Sequence, residues 1–140
     1  MTKAIVPIFA GGGTRLPAHI GILKALADLD ISFTHLVGVS GGSIIASLYA
    51  SGLSLDEIKD IALTTNYKQF REFSLFKLVR YGGLSSGDVF EKWIDKHLEG
   101  KTFRQLNKQL HNVATDVTTG KPVIFEIENT PDMKVSLAVR

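Results

Sequence analysis

The sequence predicts an α/β fold with a mostly parallel central sheet. Two units of strand, glycine-rich turn and helix follow one another directly at the start of the chain. Successive units of this kind favour parallel strands, because each helix carries the chain back across the sheet. The apolar share of 44% with 21% charged residues is typical of a compact domain with a hydrophobic core.

The first unit consists of an apolar run, a glycine turn and a helix. Residues 4–9 are all apolar, which is typical of a buried strand. The three glycines at 11–13 then predict a tight turn. Pro17 suits the first turn of a helix, where its missing N–H is not needed. Apolar residues recur at helical spacing through Leu29.

The second unit repeats this pattern. Residues 33–39 form another largely apolar run, and the turn Gly38-Val39-Ser40-Gly41-Gly42 leads into a helix that ends at Gly52. Ser54, with Glu57 three residues later, is a capping box and predicts the start of a third helix.

The rest of the chain predicts one more helix and a pair of strands. A helix is expected over residues 86–98, since apolar residues four apart share one face and Gly100 follows where helices commonly end. Residues 110–117 and 123–127 are strand-like stretches separated by a short turn that contains Gly120. They predict two antiparallel strands.

Composition narrows the classes of function and location. Sixteen basic against fourteen acidic residues leave a net charge of +2, which is too small to indicate a nucleic-acid partner. The chain has no cysteine, so disulfides and thiol-bound metals are excluded, and a cytoplasmic location is expected. No stretch reaches the roughly 18 apolar residues of a membrane span. Any membrane contact is therefore expected to be peripheral, and no oligomeric state is assigned.

The strongest functional signal is Gly38-x-Ser40-x-Gly42 between a predicted strand and a predicted helix. A sharp turn of this kind needs flanking glycines and lifts the serine side chain clear of the sheet. The N–H groups and dipole of the following helix favour negative charge beside the serine. Ser40 is therefore a candidate nucleophile. The alternative is a turn residue in a helix entry or an anion-binding loop.

The first glycine turn supplies a second candidate element of a site. Gly11, Gly12 and Gly13 follow the first strand, at the end of a parallel sheet where ligands bind, and their N–H groups could form an oxyanion hole. Arg15 either holds this loop or contacts an anionic headgroup, or it is a solvated residue at a helix start. Nucleotide binding is disfavoured, because the loop lacks the third glycine of the dinucleotide fingerprint and the chain has no P-loop.

The two glycine-containing motifs belong to a longer pattern. It comprises Gly11-Gly12-Gly13-Thr14-Arg15, His19-Ile20-Gly21-Ile22-Leu23, Gly38-Val39-Ser40-Gly41-Gly42-Ser43, Val113-Ala114-Thr115-Asp116-Val117-Thr118-Thr119-Gly120 and Leu137-Ala138-Val139-Arg140. This pattern resembles a patatin-like phospholipase domain. The glycine loop and the serine turn, in this order and about 25 residues apart, are far more specific than either motif alone.

The resemblance implies a three-layer α/β/α fold and a Ser-Asp dyad that needs no metal or other cofactor. It assigns Ser40 as the nucleophile and the glycine loop as the oxyanion hole. Supporting roles fall to Arg15, Gly38 and Gly42.

The chain departs from the family pattern at two points. The family often has a glycine where Leu16 stands. Its catalytic aspartate lies in an Asp-Gly motif, and no Asp-Gly dipeptide occurs in this sequence. The expectation is a single domain over residues 1–140 that stops before this aspartate, and that is inactive or weakly active by itself.

Several residues within the chain are weaker candidates for the base. Asp116 is the best-placed acid, although a structural role in a turn is favoured for it. The four histidines are favoured as packed or solvated residues. They are His19, His35, His97 and His111.

The stretch from Asn66 to Tyr81 interleaves aromatic residues with cations. It has four basic residues and one acidic residue. This composition suits an interfacial helix or a flap over an acyl pocket, and it predicts peripheral contact with membranes. An ordinary amphipathic helix packed on the sheet is the favoured alternative.

Together these features predict a lipid acyl hydrolase that acts on phospholipids, lysophospholipids or acylglycerols through an acyl-serine intermediate. Two alternatives stay open. One is an acyltransferase that uses the same acyl-serine chemistry, and the other is a lipid-binding module without catalysis.

Overall fold

A computed structural model describes residues 5–66, 70 and 87–140 of the chain. The aromatic and basic stretch from Asn66 to Tyr81 therefore lies almost wholly outside the described residues. Among the described helices, none is long and apolar enough to cross a bilayer.

Within the described residues, the sheet has four strands in the order β1-β2-β3-β4. These strands are β1 (Ile8–Phe9), β2 (His35–Val39), β3 (Gln109–Asp116) and β4 (Lys121–Phe125). β2 pairs parallel with β1 and with β3, whereas β3 and β4 form an antiparallel hairpin. The predicted α/β fold with a mostly parallel sheet and a final hairpin is confirmed.

β1 is shorter than the apolar run that predicted it. The run covers residues 4–9, but regular pairing is limited to Ile8–Phe9. The Pro7 carbonyl still accepts a hydrogen bond from the N–H of Val37 at 2.9 Å. Proline has no N–H to donate, so the ladder cannot continue regularly past it.

The described helices are α1 (Ala18–Asp28), α2 (Gly42–Ala50), α3 (Leu55–Thr64), α4 (Asp88–Leu98) and α5 (Val135–Val139). The capping box predicted for α3 is present, with Ser54 N–H donating to Glu57 Oε2 at 2.8 Å and Glu57 N–H donating to Ser54 Oγ at 3.3 Å. Gly100 follows α4 with a φ of +69°, as expected of a glycine after a helix end. The short helix α5 had no sequence signal.

The core lies on one face of the sheet. Its buried side chains come from alternate strand residues and from the helices packed on them, and include Phe9, Leu36, Leu110, Ile45, Leu48, Ile94 and Leu98. On the opposite face, a cavity of about 320 Å³ is lined by residues of the sheet region alone, which are Val6, His35, Val37, His111, Val113 and Ile124. Right-handed connections between strands in the order β1-β2-β3 place the described helices on a single face.

Candidate active site

Ser40 lies in the turn that joins β2 to α2. Its φ is +53°, in the left-handed region that few residues other than glycine adopt. A residue in this region costs roughly 1–2 kcal/mol, and it persists only where the surroundings impose it. The Ser40 carbonyl accepts a hydrogen bond from Ser43 N–H at 2.9 Å, and the residue is exposed. The turn thus presents the serine at the surface.

The flanking glycines are required by close contacts. A Cβ atom at Gly42 would overlap the carbonyl group of Phe9 at the end of β1. A Cβ atom at Gly38 would lie 2.6 Å from Cα of Ser43. Neither glycine has a positive φ, so both are needed because strand and helix backbones approach closely at this turn.

The glycine loop lies directly against the serine. A Cβ atom at Gly11 would be 3.2 Å from both Cβ and Oγ of Ser40. Gly13 has a φ of +53° and opens a short 3₁₀ turn over Gly13–Arg15. Arg15 N–H donates to the Gly12 carbonyl at 2.9 Å, while its side chain is exposed. The two motifs, separate in sequence, therefore form one surface around Ser40.

Leu16, which replaces a glycine often found in the resembling family, connects the loop to the serine turn. A Cβ atom at Gly41 would lie 2.9 Å from Leu16 Cδ2. The leucine side chain thus covers Gly41, the residue after the serine. The departure from the family pattern is accommodated by this apolar contact.

Asp116 is engaged in the hairpin turn. Its carboxylate accepts hydrogen bonds from the Thr119 hydroxyl at 2.8 Å and from Thr118 N–H at 2.9 Å. These two bonds, the first being the larger influence, hold the pKa of Asp116 below its ordinary value. A carboxylate of lowered pKa is a weaker base, so the structural interpretation of Asp116 is the one its contacts favour.

Two histidines meet away from the serine. Nδ1 of His35 and Nε2 of His111 lie 3.3 Å apart, and Nδ1 of His111 is hydrogen-bonded to Glu126 Oε2. Asn129 in turn donates to the other oxygen of Glu126 at 2.6 Å. His35 begins β2 and Ser40 follows its end, which separates them by about 16 Å along an extended strand. His35 therefore cannot contact the serine hydroxyl, and His111 is engaged by His35 and Glu126.

The other two histidines pack on aromatic rings. His19 meets Phe9 edge-on with ring centroids 5.3 Å apart, and His97 lies 5.0 Å from Trp93. Burial, reinforced by the charge of Lys96, lowers the pKa of His97. Within the part of the chain that the structure describes, no group of three or more histidine or carboxylate side chains is arranged so that it could hold a metal ion.

One residue beside the serine turn was missed by sequence reasoning. Asn112 on β3 is completely buried and lies opposite Gly38 of β2. Its sequence signal is an amide two residues after Leu110, at a position of the strand that faces the apolar core.

Several known proteins are similar to this chain in sequence. The family described as Patatin-like phospholipase matches residues 8–140. Protein R571 of Acanthamoeba polyphaga mimivirus is 34% identical over 94% of this chain and 48% of its own length. The patatin-like phospholipase domain-containing protein 6 of Homo sapiens is 30% identical over 83% of this chain and 9% of its own. The chain thus spans about half the viral relative and a small part of the human one.

A solved structure has the same fold. The crystal structure of full-length ExoU from the type III secretion system of Pseudomonas aeruginosa, in complex with full-length SpcU, matches with a TM-score of 0.70. The match covers 99% of this chain and 37% of the solved chain at 20% identity.

Proposed function

This chain belongs to the patatin-like phospholipase family, and on that premise we propose that it provides the nucleophile and oxyanion hole of a lipid acyl hydrolase. The observation that carries the proposal is the contact between the two motifs. Gly11 lies so close to Ser40 that a Cβ atom there would be 3.2 Å from the serine oxygen. A carbonyl attacked by Ser40 would therefore lie beside the glycine loop.

The chemistry follows from this arrangement. A base removes the proton from Ser40 as its oxygen attacks the ester carbonyl, and the resulting oxyanion is stabilised by N–H groups of Gly11, Gly12 and Gly13. The first turn of α2 adds the partial positive charge of a helix N-terminus. The ester's alcohol leaves with a proton, and water then cleaves the acyl-serine to release the fatty acid and restore the hydroxyl.

The base is proposed to be an aspartate outside these 140 residues. Asp116 is engaged by Thr118 and Thr119, and the His35–His111 pair lies beside the start and the middle of β2, where the two histidines contact each other. The proposed substrates are phospholipids, lysophospholipids or acylglycerols, and the proposed location is the cytoplasm with peripheral membrane contact through Asn66 to Tyr81.

The test is covalent labelling of Ser40. We expect a fluorophosphonate probe to label Ser40 in the protein extended to the natural end of its reading frame, with labelling abolished by Ser40→Ala and weak in the 140-residue chain. Mass spectrometry locates the label. Equal labelling of both forms would place a working base within this chain, and full ester hydrolysis by Ser40→Ala would refute the nucleophile assignment.

The same proteins separate the two alternatives. An acyltransferase would form an acylated product when an alcohol or thiol acceptor is added, at the expense of free fatty acid. A lipid-binding module would retain lipid but leave Ser40 unlabelled in every folded form.

A further inference from the structure

A buried amide lies next to the serine turn. Asn112 has no exposed surface, although it carries two polar side-chain atoms. Neither its Oδ1 nor its Nδ2 has a hydrogen-bond partner among residues 5–66, 70 and 87–140. Native proteins rarely leave such atoms unsatisfied, so each case calls for a physical explanation.

The amide occupies the corner between the strand before Ser40 and the helix after it. Three atoms converge on the place where a Cβ of Gly38 would be. They are Cα of Ser43 at 2.6 Å, Oδ1 of Asn112 at 2.8 Å and Cβ of Ala46 at 3.2 Å. Gly38 is two residues before the serine and Ser43 is three residues after it. The side chain of Asn112 is thus a wedge between the two elements that hold Ser40.

An apolar residue would fill this corner at a lower cost to stability. The neighbours of Asn112 on the same face of the sheet are Leu110 and Leu36, both buried. A leucine has the same branching at Cγ and no polar atoms to desolvate, whereas an unpaired buried amide destabilises the fold. A residue that lowers stability in a core is expected to contribute something other than stability.

The geometry indicates that Asn112 contributes to the conformation of the serine turn. The left-handed φ of Ser40 and the hydrogen bond from Ser43 N–H to the Ser40 carbonyl both depend on the relative position of β2 and α2. The amide oxygen and Cα of Ser43, in the first turn of α2, both border the position that a Cβ of Gly38 would take, so the partial negative charge of the oxygen lies near the positive end of the helix dipole. Shape and dipole together hold that helix start in place.

We propose that Asn112 is a positioning residue for Ser40, which sets the spacing of β2 and α2 so that the serine hydroxyl faces the glycine loop. This inference rests on the proposed function, because its catalytic consequence requires Ser40 to be the nucleophile. Its structural consequence is a rigid first turn of α2, and this consequence does not depend on the role of Ser40.

The experiment measures the rate of fluorophosphonate labelling of Ser40 against pH in the full-length protein, together with the thermal unfolding midpoint. Asn112→Leu is expected to slow labelling about tenfold or more, since displacement of a reacting group by an ångström can cost 100-fold. Its midpoint is expected to be unchanged or higher. Leu110→Met, on the same strand and face, is the control and should label at the rate of the parent.

Asn112→Asp keeps the shape and adds a titratable group. Burial raises the pKa of a carboxyl at this position. We expect near-parent labelling at low pH, where the carboxyl is neutral, and a new decline as pH rises, because its negative charge opposes the charge that develops at Ser40. A residue that only fills space would not produce this limb in the pH profile.

A second measurement separates this inference from the proposed function. Hydrogen exchange at the amides of Ser43 and Ile44 reports the first turn of α2 whether or not the protein reacts with the probe. An unlabelled parent protein would refute the proposed function, while faster exchange in Asn112→Leu would still support positioning. Parent-like labelling with unchanged exchange in Asn112→Leu would overturn the inference. The inference would also be overturned if Asn112→Leu lost labelling together with a lowered thermal unfolding midpoint, because lost stability would then explain the effect.

Discussion

At the scale of single residues, the serine turn depends on positions where no side chain fits. Gly42 contacts the backbone of Phe9, and Gly38 contacts Cα of Ser43. Ser40 between them adopts a backbone conformation that is unfavourable for a residue with a Cβ. The glycine pattern in the sequence predicted the turn, but the contact with β1 that requires Gly42 involves a residue more than 30 positions away.

Gly42→Ala is expected to destabilise the protein by about 1–3 kcal/mol, because the added methyl group forces β1 and α2 apart. Thermal or denaturant unfolding measures the change. Gly21→Ala is the matched control, since a Cβ at Gly21 meets no atom within 4 Å and the position lies inside α1. That substitution should stabilise by roughly 0.5–1 kcal/mol. Equal effects of the two substitutions would contradict the close-contact explanation.

At the scale of secondary-structure elements, carboxylates of α4 hold both ends of α5. Arg140, which follows α5, donates to Glu91 Oε2 at 2.8 Å, and the start of α5 is held by Asp95. Asp95 accepts a hydrogen bond from the Ser136 hydroxyl at 2.7 Å and from Nζ of Lys134 at 3.0 Å. The bond from Ser136, followed by that from Lys134, lowers the pKa of Asp95 from its ordinary value of 3.8. α5 is too short to be stable alone, so these contacts and the burial of Val135 and Ser136 determine its position.

Asp95→Asn is expected to lower the free energy of unfolding by about 1 kcal/mol at neutral pH, because a charged hydrogen-bond acceptor is lost. The folded-state pKa is depressed, so the stabilisation is present above the unfolded-state value near 4 and is lost as pH falls through the lower folded-state value. Urea unfolding of parent and variant from pH 7 to pH 2 checks this. Asp28→Asn, which breaks the exposed pair with Lys24, should change stability by less than about 0.5 kcal/mol at every pH.

At the scale of the whole molecule, charge is nearly balanced and apolar surface is unevenly distributed. The net charge of +2 cannot by itself draw the protein to an anionic membrane. The core occupies one face of the sheet, while the cavity on the other face is lined by residues such as Val37, Val113 and Ile124. The proposed attraction to a lipid surface would therefore require a local concentration of cations and aromatic groups, and the stretch from Asn66 to Tyr81 has that composition.

The double substitution Phe73→Ala, Phe76→Ala is expected to reduce co-sedimentation with anionic vesicles several-fold, because aromatic side chains supply the apolar part of interfacial binding. Binding should also weaken as salt is raised. Val117→Ala, at a position that is 94% exposed on the hairpin, is the control and should bind as the parent does. Co-sedimentation unaffected by the double substitution would exclude this stretch as the contact.

Features that depend on neighbours in sequence were predictable from the sequence alone. The two βα units, the capping box at Ser54 and the antiparallel hairpin all follow from periodicity, capping and turn chemistry within a few residues. The contacts of Gly11 with Ser40, of Asn112 with Gly38 and of His35 with His111 were decided by the tertiary structure. The parallel sheet brings these pairs together from 29 to 76 residues apart, and no local signal encodes which strand lies beside which.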